Sequence, residues 1–309
     1  MKTIQIPSFG VSSMAVVAAL LCAPLTALGG PILGSAESFA LLGHESVSNG
    51  HSAPNPTTTI FGNLGVTPGT SVTGFYPDGT VSGGSIHIND GVAQTALTDA
   101  MAAYNTLAGL PSTSNYTGFV LGSAGHSVLS PGVYTFNSSA QLTGALTLDF
   151  GATPDAIFVF QIGSALTTAS GSSVTVINGG PLSGVYWQIV SSATLGSGTV
   201  FEGNILALAS VTLDPTAQIL CGRAVALTGA VSMTDNSVSN SSTAVGFSNG
   251  CADFGSVGFD SGGTGTGTGG GPGGGPGGGS SIPEPGTFAL LSIGLVAAPL
   301  LLRKFRSLR

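Results

Sequence analysis

Four segments decide the fold: Phe158-Val159-Phe160-Gln161-Ile162, Val185-Tyr186-Trp187-Gln188-Ile189, Asn204-Ile205-Leu206-Ala207-Leu208 and Arg223-Ala224-Val225-Ala226-Leu227. Their first residues are 27, 19 and 19 positions apart, and short β-type pieces broken by Gly, Ser, Asn and Pro lie between them. Self-similarity at about 20 residues is typical of a solenoid, in which each coil is one stacked unit. These segments therefore predict a mainly β protein built from stacked coils.

The composition is typical of an exported β protein. The 309 residues include 50 Gly, and only 6% are charged while 42% are hydrophobic. Between Glu37 and Asp260 the chain carries twelve acids and one cation, Arg223. Nucleic-acid binding needs clustered Lys and Arg, and phosphate chemistry usually needs cationic groups. Both function classes are excluded.

Residues 1–29 are predicted to be a secretory signal peptide. They combine a weakly positive start, an apolar run from Met14 to Leu25 and a small-residue exit at Ala27-Leu28-Gly29. Removal of this segment leaves Cys221 and Cys251 as an even pair in an oxidising compartment, which favours a disulfide. The alternative is two small buried thiols.

One segment changes to helical periodicity. From Val92 to Ala108 apolar residues recur at spacings of three and four, and the polar Asn89 or Asp90 before them and Gly109 after them are typical caps. We expect a helix at about residues 90–109. Because the four repeated segments are apolar on both sides of a strand, they need cover, and the simplest cover is this helix lying along that side of the solenoid.

Each buried segment is followed by an apolar residue and then a small hydroxyl residue. Strand alternation places the apolar member inside and the hydroxyl outside, so these positions are predicted to stack as one ladder. The ladder is Thr143, Thr167, Thr194, Thr212 and Ser232. A second series, on a third side of a triangular coil, is Thr147, Thr175 and Thr199.

The C-terminal part of the chain is different in character. Residues 261–281 are a Gly-rich linker that has nothing to bury. Pro283-Glu284-Pro285, an apolar run and a basic end follow, and residues 286–302 are a candidate transmembrane helix with its basic end cytoplasmic. Residues 282–309 resemble a PEP-CTERM sorting signal. This resemblance implies an exosortase partner, insertion in the inner membrane, and delivery to the cell surface or extracellular matrix.

Several motifs of the body occur in an order that resembles the ice-binding protein family built on a discontinuous β-helix. They include Leu129-Ser130-Pro131-Gly132-Val133-Tyr134-Thr135-Phe136, Leu146-Thr147-Leu148-Asp149, Ser191-Ser192-Ala193-Thr194-Leu195-Gly196 and Gly222-Arg223-Ala224. The resemblance assigns residues 30–260 to this domain. It implies a right-handed, triangular β-helix in which N-terminal strands complete coils begun by the C-terminal part, with the helix packed along one side.

The resemblance also implies binding to ice through one flat face, and the five-residue ladder is the first candidate for it. An alternative is a non-enzymatic matrix or adhesion protein that binds exopolysaccharide, because Thr is also a common strand residue on any β-helix. An enzyme is not expected, since the acids are scattered and Arg223 is the single basic residue of the body. No cofactor or metal is expected, because the four His lack ligand spacing.

Overall fold

The computed structural model describes residues 32–50, 58–153, 156–179 and 183–240, all of which belong to one compact unit, Met1–Gly263. The predicted signal peptide, the Gly-rich linker and the sorting segment lie outside the described residues. Among the described residues, no helix is both long and apolar enough to cross a membrane. The predicted helix at 286–302 is not among them.

The N-terminal part of the described chain forms a short 3-10 helix at Gly34–Ser38, seven strands and the long helix α1 (Gly91–Ala108). The strands are β1 (Phe39–Gly43), β2 (Ser46–Gly50), β3 (Thr58–Phe61), β4 (Asn63–Val66), β5 (Ser71–Thr73), β6 (Gly79–Ser82) and β7 (Ile86–Ile88). The C-terminal part contributes β8 (Ser114–Asn115), β9 (Val120–Leu121), β10 (Val128–Leu129), β11 (Gly132–Phe136), β12 (Ala140–Leu142), β13 (Ala145–Asp149), β14 (Ile157–Ile162), β15 (Leu166–Thr168), β16 (Ser173–Ile177), β17 (Gly184–Ile189), β18 (Ala193–Leu195), β19 (Val200–Ala207), β20 (Val211–Leu213), β21 (Gln218–Ala226), β22 (Val231–Thr234) and β23 (Ser237–Ser239).

All pairings between these strands are parallel, and each coil contributes one strand to each of three faces. The first face, called the helix-covered face, contains β7, β4, β1, the second halves of β21 and β19, β17, β14, β11 and β8. The second, the eight-stranded face, runs β5-β2-β22-β20-β18-β15-β12-β9. The third face contains β6, β3, β23, the first halves of β21 and β19, β16, β13 and β10. The predicted β-helix with one long helix is confirmed.

Strand β19 passes from the third face to the helix-covered face through a register shift at Gly203. This residue has a φ of +116°, and a Cβ there would lie 2.8 Å from both Trp187 Nε1 and Val185 Cγ1. Only glycine fits that combination of backbone conformation and space. Gly203 therefore allows β19 to turn the corner between the third face and the helix-covered face.

The order of the coils in space differs from their order in the chain. The C-terminal part forms six stacked coils, and the two coils formed by β1–β3 and β4–β6 stack on the last of them, because β1 pairs with β21, β2 with β22 and β3 with β23. Helix α1 connects the far end of these two coils to the first C-terminal coil. The predicted discontinuity is confirmed, but the N-terminal strands form two coils of their own and do not complete coils begun by the C-terminal part, which corrects that detail of the prediction.

Helix α1 begins after Asp90, whose Oδ1 accepts a hydrogen bond from the Ala93 amide at 2.8 Å. Its buried side is formed mainly by alanines, with Tyr104 and Leu107, and packs on Val159, Tyr186 and other outward side chains of the helix-covered face. At the other end, Gln161 Nε2 donates to the carbonyls of Leu107 and Leu110 at 2.8 and 2.9 Å. The helix is thus fixed to the sheet at the position and with the bounds that its periodicity predicts.

The interior of the coils holds a second apolar cluster with an aromatic stack at its centre. The rings of Phe160 and Trp187 lie 3.9 Å apart and nearly parallel, and Tyr134 stacks on Phe160 at 5.4 Å. Parallel in-register strands place equivalent side chains above one another, so identical positions in successive coils form such stacks. This close-packed interior supports the three faces.

Candidate functional site

The C-terminal hydroxyl row, defined here as Thr167, Thr194, Thr212 and Ser232, lies on the eight-stranded face. The register pairs Thr167 with Thr194, Thr194 with Thr212, and Thr212 with Ser232. These four members of the predicted ladder are therefore direct neighbours on four successive coils. Adjacent parallel strands are about 4.8 Å apart, so the four hydroxyls span about 14 Å.

Thr143 is not part of this row, which corrects the sequence prediction. The register places Gln141, not Thr143, opposite Thr167, and Val120 occupies the row position on the first coil. Thr143 lies two residues further along, past the end of β12, where its amide donates to the Leu121 carbonyl at 2.9 Å. The row of hydroxyls consequently begins at Thr167.

The structure adds two residues that the sequence reasoning missed. Ser48 pairs with Ser232, and Thr73 pairs with Ser48, so the two N-terminal coils continue the same row. Ser48 Oγ donates to Ser232 Oγ at 3.4 Å across the junction. The sequence did contain the pattern that would have identified them, because Val47-Ser48 and Val72-Thr73 each have an apolar residue followed by a hydroxyl residue.

The eight-stranded face is more regular than the other two. None of its described strand pairings contains a register shift, whereas the helix-covered face has one between Phe39 and Leu41 and β19 has one at its corner. In β15, β18 and β20 the residues on either side of the row position are buried and the row residue faces outward. A straight outward column on a rigid base results.

Small residues border the row on the side where the chain enters each strand. Ala165, Ser192, Ser210 and Ala230 immediately precede their strands. Each accepts a backbone hydrogen bond from the neighbouring coil, for instance Leu166 N to the Ser192 carbonyl at 3.1 Å and Ala193 N to the Ser210 carbonyl at 3.0 Å. The backbone hydrogen bonding between coils therefore begins one residue before each of these strands. Side chains this small leave the Thr methyl and hydroxyl groups accessible to a flat surface.

The second predicted series is only partly assembled. Thr147 and Thr175 pair directly on the third face. Thr199 is fully buried, and its Oγ1 lies 2.8 Å from Thr168 Oγ1, so it is an interior residue and the prediction of an outward position was wrong. Because Ser173 pairs with Val200, the next position in line with Thr175 is Glu202. This carboxylate accepts from the Val176 amide at 2.7 Å. Two of the three residues of the second series, Thr147 and Thr175, are therefore aligned on the third face.

Charge is nearly absent from the outward positions of the eight-stranded face. Two carboxyls with lowered pKa values, Asp149 and Asp90, lie elsewhere: the Asn178 amide and the Gly151 N–H lower the pKa of Asp149, and the Ala93 amide, followed by His87, lowers that of Asp90. Within the described residues, no three His, Cys, Asp or Glu side chains are grouped as metal ligands would be. The row therefore presents hydroxyl and methyl groups.

Cys221 is buried in the corner of β21 and is disulfide-bonded. Its expected partner, Cys251, lies outside the described residues, as does the sorting motif at 283–285. The pairing of Cys221 with Cys251 therefore stays a prediction.

The comparisons with known proteins agree with this architecture. Residues 42–239 match a family model described as Ice-binding-like, and residues 281–307 match the PEP-CTERM protein-sorting motif. A protein of Nostoc sp. (strain HG1) called "Ice-binding protein" is 51% identical over 68% of this chain and 74% of its own length. The sorting match implies export and exosortase-mediated sorting to the cell surface.

Two solved structures are similar. The crystal structure of an ice binding protein from an Antarctic biological consortium has a TM-score of 0.61 and 38% identity, covering 71% of this chain and 96% of that one. The structure of an ice-binding protein from the Antarctic ascomycete Antarctomyces psychrotrophicus has a TM-score of 0.61 and 34% identity, covering 68% and 98%. The family is a non-enzymatic one. On the match of its β-helix and the identity to these relatives, the chain belongs to the ice-binding-like family.

Proposed function

We propose that this protein adsorbs to ice through the C-terminal hydroxyl row. The observation that carries the proposal is the unbroken register of Thr167, Thr194, Thr212 and Ser232 on a face that, in the described part of the chain, has no covering helix and no register shift. Relatives that share the fold are named as ice-binding proteins, which supports the same function.

A row of threonines suits an ice surface for two reasons. Each hydroxyl offers one donor and two acceptor sites, so it can take the place of a water molecule in a hydrogen-bonded layer. Each methyl group orders the first-shell water beside it, which reduces the entropy lost when that water joins the crystal. Repetition at the strand spacing makes these effects add along the row.

Binding to a crystal also requires that the protein surface be rigid. A surface that must fit a crystal gains from pre-organisation, because side chains already held in place lose little freedom on binding. Threonine is stiff at χ1, and each row residue stands on a strand whose neighbouring side chains are buried in the core. The β-helix therefore supplies both the spacing and the stiffness.

The sorting signal determines where this activity is used. An exosortase recognising the segment around Pro283-Glu284-Pro285 would place the exported β-helix at the cell surface. We infer that the 286–302 helix inserts in the inner membrane before this step and that the Gly-rich linker separates it from the β-helix. Ice binding at the surface would hold the cell to ice or restrain recrystallisation beside it.

The test replaces row residues with a larger side chain. Thr194→Tyr and Thr212→Tyr should abolish thermal hysteresis and crystal faceting, because a ring above the row prevents flat contact. Thr147→Tyr and Thr175→Tyr are the matched controls, since they place the same ring on a third-face pair, and they should keep full activity. A folded wild-type chain without recrystallisation inhibition at micromolar concentration would refute ice binding. Retention on an exopolysaccharide column that survives all four substitutions would instead identify the adhesion function.

A further inference from the structure

A groove with a polar lining lies on the helix-covered face at the C-terminal end of helix α1. It runs between Ala108, the last residue of the helix, and the positions where β11, β14 and β17 end. Its volume is about 360 Å³, which is within the range of sites for small molecules. Its polar side chains are Thr135, Asn137, Gln161 and Gln188, and we call it the amide groove.

The register of the strands assembles this lining. Thr135 pairs with Gln161, and Gln161 pairs with Gln188, so the three side chains form one outward column on three successive coils. The next two members of the column are Leu206 and Val225, which are buried in the apolar cluster that contains the helix. The column therefore changes from apolar to polar where the cover of the helix ends.

Two of the polar side chains are held in place by the helix end. Gln161 Nε2 donates to the carbonyls of Leu107 and Leu110 at 2.8 and 2.9 Å, and Gln161 Oε1 accepts from Thr135 Oγ1 at 3.1 Å. Asn137 is different, because it is exposed and its side-chain amide makes no hydrogen bond to the described residues. Attachment of the helix thus explains Gln161, whereas Asn137 keeps two donors and an acceptor for a ligand.

The chemistry of the lining favours an uncharged ligand that is rich in hydroxyl groups. The described residues that line the groove include no Asp, Glu, Lys, Arg or His, so a charged ligand would lose hydration without gaining a counter-charge. Amide and hydroxyl side chains offer both donors and acceptors, as sugar hydroxyls require. Val190, which is 45% exposed, adds an apolar surface on which the C–H side of a sugar ring can rest.

We propose that the amide groove binds neutral saccharides, the uncharged sugar residues of a polysaccharide. Sorting to the cell surface brings the exported chain to a place where such polymers can be met. The proposal does not rest on ice binding, because the groove is on the helix-covered face and the hydroxyl row is on the eight-stranded face. The two activities use different sides of the same coils.

The test is calorimetric titration of the full chain with cellohexaose, maltohexaose and mannohexaose, and with hexagalacturonate as the acidic counterpart. At least one neutral hexaose should bind with a Kd below about 1 mM, and hexagalacturonate should bind at least about tenfold more weakly. Val190→Asp should weaken the neutral probe by about tenfold or more, because it places a charge at the apolar wall. Asn137→Ala should weaken it by about fivefold, as expected for one lost hydrogen bond.

Matched controls carry the same changes outside the groove. Val128→Asp alters a valine that is 62% exposed on the third face, and Asn105→Ala alters an exposed asparagine of helix α1; both should bind the neutral probe as the wild type does. Because all four positions are exposed, melting temperatures should stay unchanged, and thermal hysteresis should be kept in Val190→Asp. Absence of binding to all three neutral hexaoses would overturn the proposal. Equal losses in Val190→Asp and Val128→Asp, or equal affinity for hexagalacturonate, would overturn it as well, whereas loss of ice activity in the wild type would affect the proposed function alone.

Discussion

Arg223 donates from Nε to the Phe39 carbonyl at 3.1 Å and thereby joins two strands whose residues are 184 positions apart in the chain. The same guanidinium contacts Asn204 Oδ1 on the neighbouring coil. One side chain therefore connects three successive coils of the helix-covered face. As the single cation between Glu37 and Asp260, it has a structural role at the point where the chain order is broken.

The first prediction concerns this arginine. Arg223→Met keeps most of the apolar stem but leaves at least two buried acceptors, Asn204 Oδ1 and the Phe39 carbonyl, without this donor. Each unsatisfied buried group costs about 1–3 kcal/mol, so the free energy of unfolding should fall by about 3 kcal/mol or more. Denaturant unfolding measures it. Arg223→Lys can satisfy part of the set and should lose less; a loss below about 1 kcal/mol in Arg223→Met would contradict this role.

Much of the fold follows from local patterns in the sequence. The helix from Gly91 to Ala108 is marked by its three- and four-residue spacing and by Asp90 at its start. The strands beneath it are recognisable because both of their sides are apolar, whereas a strand with one solvent-exposed side alternates apolar and polar residues. These signals depend on residues close together in the chain, and they predict the observed elements.

The register of the short strands could not be predicted in the same way. In the segment from Ala140 to Thr143 the pattern of apolar then polar occurs twice, at Ala140-Gln141 and at Leu142-Thr143, and pairing with the neighbouring coil selects the first. Thr199 follows the alternation too, but it stands before β19 begins, and its hydroxyl turns inward to Thr168. Both errors arise because register is set by contacts between coils.

A second prediction tests the corner at Gly203. Gly203→Ala would put a Cβ 2.8 Å from Trp187 Nε1 at a φ of +116°, so the strain should lower the free energy of unfolding by about 1–3 kcal/mol. Gly91 is the matched control, since nothing lies within 4 Å of a Cβ there. Gly91→Ala should be neutral or stabilise by up to about 1 kcal/mol, through the entropy of the unfolded chain. Equal effects of the two substitutions in thermal unfolding would show that the corner tolerates a side chain.

The third prediction is a pH dependence from Tyr134. Burial raises the pKa of this hydroxyl to about 12, and the hydroxyl donates to the Ser130 carbonyl at 2.5 Å. Since the unfolded pKa is about 10, the folded state holds the proton more tightly. The resulting stability is complete below pH 10 and is lost as the pH rises towards 12. Burial raises the pKa values of Tyr104 and Tyr186 as well, in the same direction.

Thermal unfolding between pH 9 and 12 checks this, with tyrosinate absorbance followed in the folded state. Tyr134→Phe should reduce the slope of the melting temperature against pH, whereas Tyr76→Phe, at a position 95% exposed, should not change it. A slope that is the same in both variants would assign the alkaline loss to other groups.

The last prediction is a gain of function at the start of the row. Gln141 is exposed and pairs with Thr167, and its neighbours Ala140 and Leu142 are buried. Gln141→Thr would therefore add a seventh coil to the hydroxyl row with a residue that strands favour. If activity scales with the length of the row, thermal hysteresis should rise by on the order of one sixth, with no loss of melting temperature. Ala145→Thr adds the same group to the third face of the same coil and should have no effect. A rise in both variants would mean that hydroxyl content, and not the row, determines activity; no rise in Gln141→Thr would mean that contact ends at Thr167.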